Sequence, residues 1–230
     1  METNANSGEQ AKPILQSNRY ENFDTYYTNR LTALTNASDA DIVTLVTKAG
    51  YPPDMISSKI AELEDLKKLD VIQKKEYGEQ FQATASYDEL AASLHPTYLD
   101  DVKWGKLIFK NDLAALNSLG LKGRRKQAES GYCNQALLFY EGVLSNGAYK
   151  TAMEARGITA DLLESGRTGY TNLKKMIPKK AKETGESQQA TNARDKAWEK
   201  FDKWFVEFKK YAVLALGKTP QLREKLGWKE

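Results

Sequence analysis

LKKLDVIQKKEYGEQFQATASYD (residues 66–88) and LKKMIPKKAKETGESQQATNARD (residues 173–195) are one passage written twice, 107 positions apart. Leu66-Lys67-Lys68 meets Leu173-Lys174-Lys175, Gly78-Glu79 meets Gly185-Glu186, Gln82-Ala83-Thr84 meets Gln189-Ala190-Thr191, and Asp88 meets Asp195. Outward from this passage the register holds without a gap. Gly50 falls on Gly157, Asp54 on Asp161, and Leu119-Gly120 on Leu226-Gly227. Between residues 50–122 and 157–229, 19 of 73 positions are identical, far more than unrelated sequences share. The chain therefore reads as a tandem duplication, and self-similarity at a fixed offset sets architecture before any local signal does. The first copy is residues 17–123 and the second 124–230, joined by a glycine- and charge-rich connector at 120–126. Residues 1–16 read as a disordered tail.

Each copy reads as helix throughout. Tyr20, Phe23, Tyr27, Leu31 and Leu34 recur at spacings of 3, 4, 4 and 3 over 18–35, and Cys133, Ala136, Leu137, Tyr140 and Leu144 mark the matching helix over 126–144. Short helices follow at 39–49 and 147–156. Gly50 and Gly157 stand just past them, where a left-handed cap needs no Cβ. A long hairpin is expected next, with arms 54–75 and 80–110 in one copy and 160–182 and 187–216 in the other. Its tips would be Tyr77-Gly78-Glu79 and Thr184-Gly185-Glu186. Asp112 and Thr219 are suitable caps for a short last helix, Pro220 suits its first turn, and Gly120 and Gly227 end it. Pro96 is expected to break its arm, with a restart capped by Thr97 near Asp100, and Pro178 to bend the other. The fold class is thus all-α: an elongated helical bundle with internal pseudo-two-fold symmetry, both copies packed as one domain.

The stretch GESQQATNARDKAWEKFDKWFVEF (residues 185–208), followed by TPQLREKLGW (219–228), resembles C-terminal repeats of uncharacterised all-helical bacterial proteins. The resemblance spans about a third of the chain. It implies a helical-hairpin repeat and no particular chemistry.

The 230 residues carry 40% hydrophobic and 28% charged side chains, with a mean hydropathy of −0.64, as a water-exposed helical protein does. No apolar run approaches the ~18–20 residues of a membrane span. The polar start has no signal-peptide core, and the single Cys133 allows no internal disulfide. A cytoplasmic location is the expectation. The net charge of +3 conceals an asymmetry: residues 1–123 hold 13 basic and 18 acidic side chains, and residues 124–230 hold 21 and 13.

One histidine restricts the chemistry. There is no HExxH, no Cys/His cluster, no Glu-x-x-His, no glycine-rich phosphate loop and no nucleophile elbow. No catalytic residue, metal site or cofactor is expected, and the chain does not read as an enzyme. Three patches compete for a binding role. His95, Asp100, Asp101 and Trp104 gather near the proline break as a polar site. If they work together, a carboxylate should adjoin the imidazole and raise its pKa. Trp198, Phe201, Trp204, Phe205 and Phe208 form an aromatic seam, either core or a groove for an apolar small molecule. Lys174, Lys175, Lys179, Lys180 and Lys182 make a basic cluster suited to nucleic acid or an anionic surface. The leading reading is a non-catalytic interaction or scaffold protein with a protein partner.

Overall fold

A computed structural model describes residues 22–217 and 219–228. They form eight helices and no strand: α1 (Phe23–Asn36), α2 (Val43–Lys48), α3 (Pro53–Ile108), α4 (Leu113–Ser118), α5 (Glu129–Ser145), α6 (Gly147–Glu154), α7 (Ala160–Ala215) and α8 (Pro220–Lys225). The protein is all-α over the described residues. The tail at 1–16 and the expected start of the first helix lie outside them.

Local chemistry accounts for most helix ends. The Asn22 side chain accepts from the Thr25 amide at 2.8 Å, and Asp112 caps α4 by accepting from the Ala115 amide at 2.9 Å. Asn146 caps α6 through the Ala148 and Tyr149 amides. Pro220 occupies the first turn of α8, where its missing N–H is no loss, and the Thr219 side chain makes no capping bond. Gly50 and Gly157 follow α2 and α6 at φ of 95° and 84°, a backbone state that costs a residue with a Cβ about 1–2 kcal/mol.

The two hairpins are absent. Where two arms and a tip are expected, α3 and α7 are each a single helix of 56 residues. Gly78 and Gly185 lie inside them without a positive φ. A glycine in a helix costs about 1 kcal/mol relative to alanine. Lys74, Lys75, Glu76, Glu79 and Gln80 around Gly78, and Lys182, Glu183 and Glu186 around Gly185, are strong helix formers, so one weak position does not turn the chain. Pro96 also fails to end its helix, and Thr97 caps nothing because α3 continues through it. Proline in a helix interior costs ~3 kcal/mol. Burial on both sides of it, through Tyr87 and Ala91 before and Tyr98 and Val102 after, offsets that cost. α7 likewise runs unbroken through Pro178.

The described residues divide into two compact units that cut across the sequence copies: residues 22–74 with 189–217 and 219–228, and residues 75–188. Each long helix gives one end to each unit. In the first unit Tyr26 and Leu34 of α1, Ile56, Leu63 and Leu66 of α3, and Phe201, Phe205, Phe208 and Ala212 of α7 build the core with Leu226 and Trp228. In the second, Tyr87, Tyr98 and Val102 of α3 pack with Cys133, Phe139 and Tyr140 of α5 and Leu163, Tyr170 and Leu173 of α7.

Helix continuity at the two glycines has a direct check. An added Cβ at Gly78 or Gly185 meets nothing within 4 Å, so Gly78→Ala and Gly185→Ala should each stabilise the protein by about 0.5–1 kcal/mol. Urea unfolding measures this, and a loss of stability in both would reinstate a turn at these positions.

Candidate functional site

The densest polar arrangement in either core surrounds Tyr98 in the second unit. It unites α3, α5, α7 and the segment before α5. The Tyr98 ring is fully buried and lies 5.6 Å from Tyr132, 6.0 Å from Tyr140 and 5.4 Å from Tyr170, centre to centre. Such spacings suit edge-to-face and tilted aromatic pairs. Phenol hydroxyls cannot be buried without partners, and each finds one. The Arg125 guanidinium donates to the Tyr98 hydroxyl at 2.8 Å and to the Gly120 carbonyl at 2.7 Å. The Tyr140 hydroxyl donates to Asp101 at 2.8 Å. The Tyr170 hydroxyl lies 2.9 Å from Nδ1 of His95, the donor being set by the imidazole tautomer, and also bonds Tyr132.

Two glycines make this packing possible. A Cβ at Gly166 would stand 2.4 Å from Cζ of Tyr140, and one at Gly169 would stand 2.5 Å from a Leu94 methyl. α7 therefore approaches α5 and α3 more closely than any side-chain-bearing residue permits. Gly166→Ala should cost about 1–3 kcal/mol by overpacking and displace Tyr140 from Asp101. Denaturant unfolding and the near-ultraviolet tyrosine dichroism report the two effects.

The four residues of the expected polar site do not converge. His95 is half-buried, its ring 4.5 Å from that of Tyr132, and it forms part of the wall of a cleft of about 480 Å3 with Tyr87, Arg125 and Glu129. Asp100 is exposed and bound to Lys103 at 2.7 Å. Asp101 is buried and turned to Tyr140. Trp104 is 46% exposed. No carboxylate raises the His95 pKa. Burial lowers it instead, because the charged ring loses solvation. Burial also raises the Asp101 carboxyl, against the opposing bond from Tyr140, and raises the phenols of Tyr140 and Tyr170. Cys133 is fully buried beside the Tyr87 hydroxyl, with its thiol pushed up, chiefly by burial, so it is a poor nucleophile.

The aromatic seam is largely core. Phe201, Phe205 and Phe208 are buried, Trp204 stacks on Phe208 at 5.3 Å, and Trp198 packs edge-on against Phe23 at 5.1 Å. The basic cluster is partly neutralised. Lys180 pairs with Glu129 and covers the Tyr87 ring at 4.4 Å, and Lys182 pairs with Glu186 at 3.1 Å. Lys174, Lys175 and Lys179 are exposed. Carboxylate oxygens of Glu76, Glu79 and Glu183 lie within 4.8 Å of one another. Lys75 reaches Glu76 at 3.2 Å and Glu79 at 3.0 Å, so this group is an ordinary surface ion network.

Sequence reasoning missed Tyr98, Arg125 and Tyr132, and the apolar spacing placed Tyr140 and Tyr170 as core only. Their partners lie 27 to 75 residues away along the chain, and no local spacing announces such pairs. Compared with protein families, curated proteins and solved structures, the chain matches none.

The depressed His95 pKa has a sign that can be measured. The unfolded ring titrates near ~6.5. Just below that the unfolded chain binds more protons than the folded one, so stability falls as pH drops through this range. Unfolding at pH 7.5 and 5.5 should show a larger acid loss for the wild type than for His95→Gln. The lone imidazole should titrate below ~6.5 by NMR, and a higher value would overturn the assignment.

Proposed function

We propose that the protein is a non-catalytic helical interaction protein whose partner, another protein, docks on α3 at Tyr77 and Phe81. One observation carries this reading. These rings stand one turn apart on the same helix face, 60% and 70% exposed, and neither has an aromatic or cationic partner among the described residues. Burying each would contribute about 1.5–3 kcal/mol, and aromatic side chains are favoured anchors at protein interfaces. The acidic and basic side chains nearby, Glu76, Glu79 and Lys75, supply the polar rim such an anchor needs.

A tandem duplication is proposed as the origin of the fold. It is supported by Pro53 and Ala160, Ile108 and Ala215, Leu113 and Pro220, and Ser118 and Lys225, the bounds of α3, α7, α4 and α8, each pair standing 107 positions apart. The left-handed glycines pair in the same way, Gly50 with Gly157 and Gly120 with Gly227. The repeats that residues 185–208 resemble agree with this origin. The cytoplasm is the proposed compartment because the sole cysteine is a buried free thiol, and no helix among the described residues is long and apolar enough to cross a membrane. The nucleic-acid reading is not favoured, since Lys180 and Lys182 of the basic cluster are already paired.

Site-specific photocrosslinking in the native cell tests the docking site. A benzophenone side chain at Phe81 should trap a discrete protein that the same probe at exposed Glu154 of α6 does not. Tyr77→Ser in the chain carrying the probe at position 81 should weaken the adduct, and the probe-free double change Tyr77→Ser with Phe81→Ser should alter stability by no more than about 0.5 kcal/mol, as for exposed positions. Identical products at both probe sites, or a large loss of stability, would refute the reading.

A further inference from the structure

The first unit carries a cleft of about 640 Å3, within the ~300–1,000 Å3 typical of small-molecule sites. Its apolar wall is made by Phe205, Val206 and Val213 of α7 with Trp228 after α8. Lys209 and Lys210 follow Phe205 and Val206 by one turn, and Arg30 of α1 stands opposite. Among the described residues no carboxylate lines the cleft.

The cations are placed by the aromatic rings. The Arg30 guanidinium lies 3.9 Å from the centre of Tyr26 and 5.3 Å from that of Phe205. The Lys209 ammonium lies 5.4 Å from the Trp228 ring. Contacts of this kind hold a charge against an apolar surface. Arg30 is offset by Asp202 at 3.7 Å. Lys209 and Lys210 have no ion pair among the described residues. Earlier on the same helix, Lys200 and Lys203 are tied to Glu62 at 2.8 Å and Glu199 at 2.7 Å. Lys209 and Lys210 thus differ from Lys200 and Lys203 in standing without a carboxylate partner beside an apolar wall.

We propose that the cleft binds a small amphiphilic acid, a single carboxylate on an apolar body. The body lies on Phe205, Val206, Val213 and Trp228. The carboxylate meets Lys209 and Lys210 through charge-assisted hydrogen bonds, which are about twice as strong as neutral ones. This assignment is independent of the Tyr77–Phe81 docking site, which belongs to the other unit.

Calorimetric titration of the full chain with sodium decanoate and with decanol, both below micelle-forming concentration, tests it. Decanoate should bind one to one, and decanol about tenfold or more weaker, a difference of about 1.4 kcal/mol. Lys209→Gln with Lys210→Gln should weaken decanoate about tenfold with the melting temperature unchanged. The matched change at Lys174 and Lys175 in the other unit should leave binding intact. Val206→Glu, at a position 44% exposed, should remove binding by placing a like charge in the cleft. Equal affinity for acid and alcohol, indifference to the Lys209–Lys210 change, or absence of binding would each overturn the proposal. Retention on phosphatidylglycerol vesicles through these lysines without decanoate binding would also overturn it, assigning the cleft to a membrane lipid.

Discussion

Everything in this fold depends on the unbroken backbone of two helices that each serve two cores. α3 buries Ile56, Leu63 and Leu66 in one unit and Tyr87, Ala91, Tyr98 and Val102 in the other. α7 buries Leu163, Tyr170 and Leu173, and then Phe201, Phe205 and Phe208. The stretches between are mostly polar and cannot hold a helix by propensity alone. Burial at the two ends fixes them. Little of the surface of these middle stretches is buried. Buried Asp70, held by Lys74 at 2.7 Å and Arg194 at 3.8 Å, is an exception to their exposure.

The two cores solve equivalent packing problems with different chemistry. Asp101 and Tyr140 are joined by a hydrogen bond in one. The positions 107 further along from Asp101 and 107 before Tyr140 are Phe208 and Ala33, both fully buried in the other core. In that core both positions are apolar, and the ring stands on α7 rather than on α5. Tyr98 and Phe205 stand in the same relation. One core therefore contains hydroxyls that must be satisfied, and recruits His95 and Arg125 to do so. The other contains none at these positions and is free to present Trp228 and Phe205 to a cleft.

The helical class, most helix ends and a part of the buried residues were legible from apolar spacing, from Asp112 and Pro220, and from four glycines past helix ends, whereas the division into two cores that cut across the copies was not. Gly78, Gly185 and Pro96 misled because a local helix breaker states a cost and not an outcome. Whether the cost is met depends on burial further along the helix. The candidate site was less legible. Asp100 lies five residues from His95 yet faces Lys103 in solvent, whereas Tyr170 lies 75 residues away and touches the imidazole. Side-chain partnership in the second unit is set by close helix approach at Gly166 and Gly169, and a glycine in a sequence does not say which ring it admits.

Cys133 gives the molecule an intrinsic chemical clock. It is the only thiol in the chain, fully buried in the second unit, and it reacts with an alkylating reagent only when that unit opens. In a Trp104→Phe variant the three remaining tryptophans, Trp198, Trp204 and Trp228, all belong to the other unit and supply its fluorescence. The two units thus carry separate native reporters, one kinetic and one optical. Comparing the alkylation rate of Cys133 with the loss of tryptophan emission in graded denaturant reads out the cooperativity that two shared helices confer, with no label added.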